Sequence, residues 1–219
     1  MDILTEYNVL GAFVETLKYT VLAAIGSLVI GTLVAVMRVS PIGVLRGLGT
    51  FYVTTIRNTP LTLLMVLSIL GLAFIVGLQL SEDFNANTFR WAVVMLSVYH
   101  AAFVAEALRS GVNTVPTGQA EAARSIGLTF GQSLREVILP QAFRGAIAPL
   151  GSTLIALTKN TTVAQVIGGS EAAGLLSTIV ENEGSSYGAF LIIALGFVIL
   201  TLPTGIAFTH LSERLAVRR

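Results

Sequence analysis

The chain is 219 residues long, 54% hydrophobic and only 11% charged, with a mean hydropathy of +0.82. These proportions are displaced from soluble-domain averages toward the membrane class, and they leave no room for a second sizeable soluble domain beside the apolar segments. Without cysteine there is no disulfide framework and no thiolate metal site. The net charge of +1 carries no argument, and no nucleic-acid partner is expected; where the charges lie is more informative.

Five apolar runs follow one another, at roughly 19–37, 61–80, 91–108, 147–168 and 187–208. With interfacial ends they predict an all-α membrane protein, a single transmembrane domain over 1–219 with spans at approximately 15–38, 50–80, 90–110, 145–168 and 187–210. At about 1.5 Å per residue each can cross a hydrocarbon core of about 30 Å, given slack for tilt. The N-terminus, MDILTEYNVL, carries acids where a signal peptide carries basic residues, so the first run reads as a retained span.

Five spans put the termini on opposite sides. If the N-terminus is outside, the inner segments hold ten basic residues (Arg38, Arg46, Arg57, Arg109, Arg124, Arg135, Arg144, Arg214, Arg218, Arg219) against three acids (Glu121, Glu136, Glu213). The outer segments then hold two basic residues (Lys18, Arg90) against eight acids (Asp2, Glu6, Glu15, Glu82, Asp83, Glu171, Glu181, Glu183). Orientation follows lysine and arginine, and ten against two sets the N-terminus outside and the C-terminus inside.

The second run opens with Arg57-Asn58-Thr59-Pro60. Asn58 or Thr59 can cap a helix that has Pro60 in its first turn, with Arg57 snorkelling to the cytoplasmic headgroups. Alternatively the helix starts earlier and Pro60 breaks it, freeing backbone carbonyls toward a cavity. Either way polar groups gather at the inner mouth of a pathway. In the third run, Glu106 precedes Arg109 by three residues, the spacing of a local ion pair. His100 lies deeper, where packing accounts for it and a neighbouring helix or a transport path could equally use it.

Residues 118–145, GQAEAARSIGLTFGQSLREVILPQAFRG, read as a soluble helical hairpin between membrane segments. Residues 119–126 are strong helix formers, with Glu121 toward the start, Arg124 toward the end and Gly127 placed as a C-terminal cap. Thr129 and Gln132 have capping-box spacing for a second helix ending at Pro140. The first helix is barely two turns, too short to stand alone, so it needs a partner surface. In the fourth run, Lys159 falls near the bilayer midplane and opens the polar run Lys159-Asn160-Thr161-Thr162. A lysine there is expensive unless paired, hydrated or facing a ligand. A water-accessible cavity wall suits it, as would helix carbonyls or a neighbouring carboxylate.

Gly118-Gln119-Ala120-Glu121-Ala122-Ala123, then Gly127, then Ile138-Leu139-Pro140-Gln141-Ala142 and Arg144, resembles the EAA loop of ATP-binding-cassette importer permeases. Ala105-Glu106 to Arg109, Val115-Pro116 and Arg57-Asn58-Thr59-Pro60-Leu61 are similar to the polar amino acid branch, where a Lys-(Asp/Asn)-(Thr/Ser)-(Ser/Thr) run recurs as at 159–162. Departures are mild: His100-Ala101-Ala102-Phe103 stands where Ala-Tyr is common, and Thr162-Val163 where Ser-Leu is common.

The resemblance implies a type I importer permease of the bacterial inner membrane, with a cytoplasmic coupling hairpin at 118–140. Gly118, Gln119, Ala120, Glu121, Ala122, Ala123, Arg124 and Gly127 would contact the ATPase. Lys159, Asn160, Thr161, Thr162, Arg57, Asn58, Thr59 and Glu106 would line the substrate pathway. The implied partners are two ATPase subunits carrying ATP and Mg, a second permease (identical or sister), an external amino-acid-binding protein and membrane lipid. This chain itself would bind no cofactor and no metal and would not be an enzyme. Indeed neither lysine, Lys18 or Lys159, follows a glycine as a phosphate-binding loop requires. A carboxylate-balancing Lys159 points weakly to glutamate or a related polar amino acid. The alternative is a stand-alone ion-coupled transporter or channel with Lys159, Glu106 and His100 as a relay. That reading leaves the hairpin unexplained and finds no internal repeat. A membrane-embedded enzyme is weaker still, because His100 and His210 are far apart in sequence.

Overall fold

The computed structural model describes residues 6–184 and 187–215; Asp2, Arg218 and Arg219, counted above for orientation, lie outside them. The first helix, α1 (Val9–Val39), starts from Asn8, whose side chain accepts the Gly11 N–H at 2.9 Å. It buries one narrow stripe, which includes Thr16, Tyr19, Ala23, Ser27, Gly31 and Val34, while Leu10, Val14, Val21, Ile25 and Leu33 stay exposed. The stripe's hydroxyls are satisfied locally, Thr16 by Ala12 O, Thr20 by Thr16 O and Ser27 by Ala24 O.

That stripe faces α4 (Phe84–Asn113), and the two helices run parallel. Tyr19 stacks near Phe89 with ring centroids 4.6 Å apart, Gly26 abuts Ser97, Gly31 abuts Val104 and the Ala101 carbonyl, and Arg38 reaches Glu106. Small residues at the contacts let the backbones approach, as membrane helices require in place of a hydrophobic drive.

Between them, the segment expected as one span over 50–80 is broken. Helix α2 (Gly43–Arg57) and helix α3 (Leu61–Val66, running on as a π-helix, Leu67–Ile75) meet at 98°. Pro60 has no N–H to continue α2, and its own carbonyl starts α3 by accepting from Leu63 and Leu64. The carbonyls at the end of α2 are closed by the side chains that follow them. Asn58 Nδ2 donates to Thr54 O and Thr59 Oγ1 to Thr55 O, both at 2.8 Å. Of the two sequence readings, the earlier start with a break at Pro60 is the one observed. Asn58 and Thr59 are capping groups, as the other reading had it, but for the C-terminus of α2. Leu61–Ile75, with 15 residues, is too short at about 1.5 Å each to cross about 30 Å alone. Met65 of α3 is fully buried among Tyr19, Leu96 and Leu157, which ties the second arm to the centre of the bundle.

After α4 comes α5 (Thr117–Ser125), then α6 (Phe130–Gln132), which passes through a π-helical stretch (Ser133–Ile138) into α7 (Leu139–Asn160). The second arm of the hairpin was expected to stop at Pro140; it continues. The wider π winding absorbs the missing proline N–H: Leu139 N donates five residues back to Leu134 O, and Gln141 Nε2 donates to Val137 O at 3.0 Å. Helix α7 runs antiparallel to α4, with Gly111 against Ala142 and Ala146, Gly145 against Thr114, and Asn160 opposite His100. It tightens to a 3₁₀ turn (Thr161–Ile167), stops at Gly168 with φ +86°, and resumes at a 45° bend as α8 (Ala172–Glu183). Helix α9 (Tyr187–Leu215) closes the bundle, with Gly196 against Phe13, Gly205 near Ile155 and Gly151 against Phe208.

Helices α1, α4 and α9 are long and apolar enough to cross a membrane alone, and the two bent pairs bring the crossings to as many as five. At Gly111 a Cβ would strike the Ala142 carbonyl, whereas at Gly47 it would meet open space. Gly111→Val is therefore expected to destabilise the bundle by about 1–3 kcal/mol through overpacking, with Gly47→Ala near neutral. Thermal unfolding of the detergent-solubilised protein checks this; equal melting temperatures for the two variants would contradict the packing.

Candidate functional site

Midway along the bundle, α4 and α7 enclose a cavity of about 250 Å³ lined by Tyr99, His100, Phe103, Ser152, Thr153, Ala156 and Asn160. The three rings from α4 form one cluster, with centroids 5.2–5.8 Å apart. His100 is 1% exposed, and its Nε2 lies 3.2 Å from Asn160 Nδ2. His100 Nδ1 is buried and has no partner among the described residues. The cavity thus sets an imidazole and an amide beside aromatic faces, a surface suited to a small polar molecule.

Of the run 159–162, only Asn160 lines this cavity. Lys159 is exposed and makes no ion pair among the described residues. Thr161 is fully buried with its hydroxyl on Thr158 O, and the half-buried Thr162 returns to Lys159 O. His100 was set aside at the sequence level in favour of packing; it is the residue that pairs with Asn160. The sixty residues between them leave no sequence signal for that contact.

Below the cavity, Glu106 gathers three arginines from three helices. Its Oε1 accepts from Arg109 Nε at 3.2 Å and Nη2 at 2.5 Å, as the local spacing predicts. Its Oε2 accepts from Arg38 of α1, and Arg57 at the end of α2 lies 3.9 Å away. Arg57 also rests over the Phe103 ring, 5.4 Å from its centroid. The carboxylate is thus a junction between α1, α2 and α4, of which the sequence shows only the Arg109 half.

At the same end, α5 begins two residues earlier than expected, at Thr117, which puts Glu121 beyond the first turn. Its close is a Schellman motif: Gly127 N donates to Arg124 O at 3.0 Å and Leu128 N to Ala123 O at 3.1 Å, with Gly127 at φ +88°. The anticipated Thr129–Gln132 capping box forms, with Thr129 N donating to Gln132 Oε1 at 2.9 Å and Gln132 N to Thr129 Oγ1 at 3.4 Å. Ala123 is buried, while Gly118, Gln119, Glu121, Ala122, Arg124 and Gly127 are exposed and Ala120 is half-buried. The hairpin therefore holds a rigid shape and leaves most of one helix uncovered.

Glu171, counted above among the outer acids, is fully buried, and this was not legible in sequence. Its Oε2 caps α8 by accepting from Ala173 N and Gly174 N, while Ala172 N donates to Thr16 Oγ1 and ties the turn to α1.

A broken-helix bundle with a polar cavity at mid-depth and an uncovered helical hairpin at its arginine-rich end is the architecture of a transport permease. The chain belongs to the family of binding-protein-dependent transport system inner membrane components, which matches residues 27–217. It is 51% identical to the glutamate transport system permease protein GluC of Corynebacterium glutamicum over 218 residues, 97% of this chain and 96% of that one. It is 38% identical to the probable glutamine ABC transporter permease protein GlnM of Bacillus subtilis, covering 93% and 91% of the two chains. The fold matches the crystal structure of an amino acid ABC transporter with histidines at a TM-score of 0.87 and 28% identity, over 98% of this chain and 99% of that one.

Neutralising Glu106 would leave three guanidiniums facing one another, with the Arg38 side chain only 13% exposed. Glu106→Gln is expected to lower stability by about 1–2 kcal/mol, the figure for charged hydrogen bonds discounted for partial exposure. Arg57→Gln should lower it by less than half as much. Thermal unfolding of both variants measures the difference, and a neutral Glu106→Gln would remove the junction.

Proposed function

We propose that this permease passes a polar amino acid, glutamate first among them, into the cytoplasm by alternating access driven by two separate ATPase subunits that carry ATP and Mg. The observation that carries the substrate is the end-to-end identity of 51% to a permease named for glutamate transport. The cavity adds an imidazole and an amide beside aromatic rings, groups that suit an amino acid. The arginine excess at the hairpin end supports a cytoplasmic location for that end. A second permease, identical or sister, would face this one across the pathway, and an external amino-acid-binding protein would deliver substrate at the other end. Lys159, exposed, and Thr162, half-buried, would belong to the pathway's rim beside Asn160; Asn58 and Thr59 at the elbow would line its inner mouth, with Thr161 behind the wall.

In this reading α5 is the coupling helix, with the faces of Gln119, Glu121, Ala122 and Arg124 seated in a cleft of the ATPase. Closure of the ATPase pair would push α5, and the continuous passage from α6 into α7 would carry that displacement to the cavity wall.

The coupling claim is tested in proteoliposomes holding the assembled importer. Glu121→Lys should leave the complex folded while cutting uptake at least tenfold relative to ATP hydrolysis; an unchanged ratio would refute it. For the cavity, equilibrium binding of labelled glutamate to the ATPase–permease complex should weaken about tenfold in Asn160→Leu, the worth of one lost hydrogen bond. Equal affinity in the variant would move the substrate elsewhere.

A further inference from the structure

Two guanidiniums already hydrogen-bond the Glu106 carboxylate, one on each oxygen. Both donors from Arg109 reach Oε1, and Arg38 takes Oε2. Arg57 is left over. Its Nη1 stands 3.9 Å from Oε2, within ion-pair distance and beyond a hydrogen bond, and it makes no hydrogen bond among the described residues. Its side chain is 45% exposed, and its guanidinium lies over Phe103, a ring of the cavity wall. The aromatic face holds the group in place without neutralising it. One negative charge against three positive ones leaves a positive surplus beside the cavity.

From this geometry we infer that Arg57 supplies the charge that recognises a carboxylate of the substrate, Glu106 and its two committed arginines serving to position it. The planar fork of a guanidinium matches a carboxylate with two parallel hydrogen bonds. Neither Arg57 nor Lys159, the lysine that sequence alone favours for this task, is itself a lining residue, but Arg57 rests on Phe103, which is. Arg57 brings the charge and the His100–Asn160 pair brings polar side chains, which together fit an amino acid with its carboxylate toward the elbow at Pro60. The inference rests on the amino acid reading above and refines it.

Equilibrium binding of labelled glutamate and glutamine to the purified ATPase–permease complex, without binding protein, tests it. Arg57→Gln should weaken glutamate binding at least tenfold, and Arg57→Lys, which keeps the charge but loses the fork, by an intermediate factor. An equal loss for glutamine assigns Arg57 to the α-carboxylate and a loss confined to glutamate assigns it to the side chain; both support the inference. Wild-type affinity for both ligands in Arg57→Gln overturns it, as does failure of the wild-type complex to bind either. Should Arg57→Gln fail to assemble with the ATPase, Phe103→Leu, which removes the aromatic rest, is expected to weaken binding three- to tenfold, and unchanged binding there overturns the inference as well. ATP-driven uptake by wild-type proteoliposomes is scored separately, so a failure of amino acid import itself stays distinguishable.

Discussion

A backbone carbonyl that loses its helical partner inside hydrocarbon has no water to turn to, and stranding it costs several kcal/mol. Among the described residues, three interruptions of the helices carry their own repair. At 58–60 the side chains of Asn58 and Thr59 reach back to Thr54 and Thr55. Over Ser133–Ile138 the winding widens so that Pro140 can be passed without a gap in the ladder. At 161–168 a tighter turn runs into a glycine that can take the left-handed conformation. The same requirement explains why so many threonine and serine hydroxyls in the bundle bond to carbonyls of their own helix.

These repaired breaks locate the site. A straight second span would have carried Arg57 away from α4; the 98° elbow turns it onto Phe103 and Glu106 instead. The end of α7 brings Asn160 to His100 one residue before the winding changes. Cavity and charge cluster share Phe103 as a common wall.

How much of this could be read from residues alone depended on the distance over which each feature is decided. The hairpin's closing glycine and its Thr129–Gln132 box are local, and both were legible because capping needs specific residues at fixed offsets. The Glu106–Arg109 pair was legible for the same reason. Arg38 and Arg57 joining that pair was not, since helix packing brings them together across 68 and 49 positions of chain. Pro60 announced a break without its angle. Pro140 announced a stop that did not occur, because a π stretch has no compositional signature. Lys159 drew notice as a charge at depth, while the cavity took its neighbour Asn160, a choice fixed by helix rotation at the α4–α7 contact.

The arrangement at Glu106 also orders the substitutions open to the chain over evolutionary time. Arg57 is hydrogen-bonded to nothing in the cluster and can change first, at the expense of whatever it recognises. Arg38 and Arg109 can each be replaced while the other still holds the carboxylate. Glu106 cannot go before them, because its loss leaves three like charges converging on one point. Related sequences that lack this acid should therefore also lack at least two of the arginines, and lineages that keep all three should never be found without it.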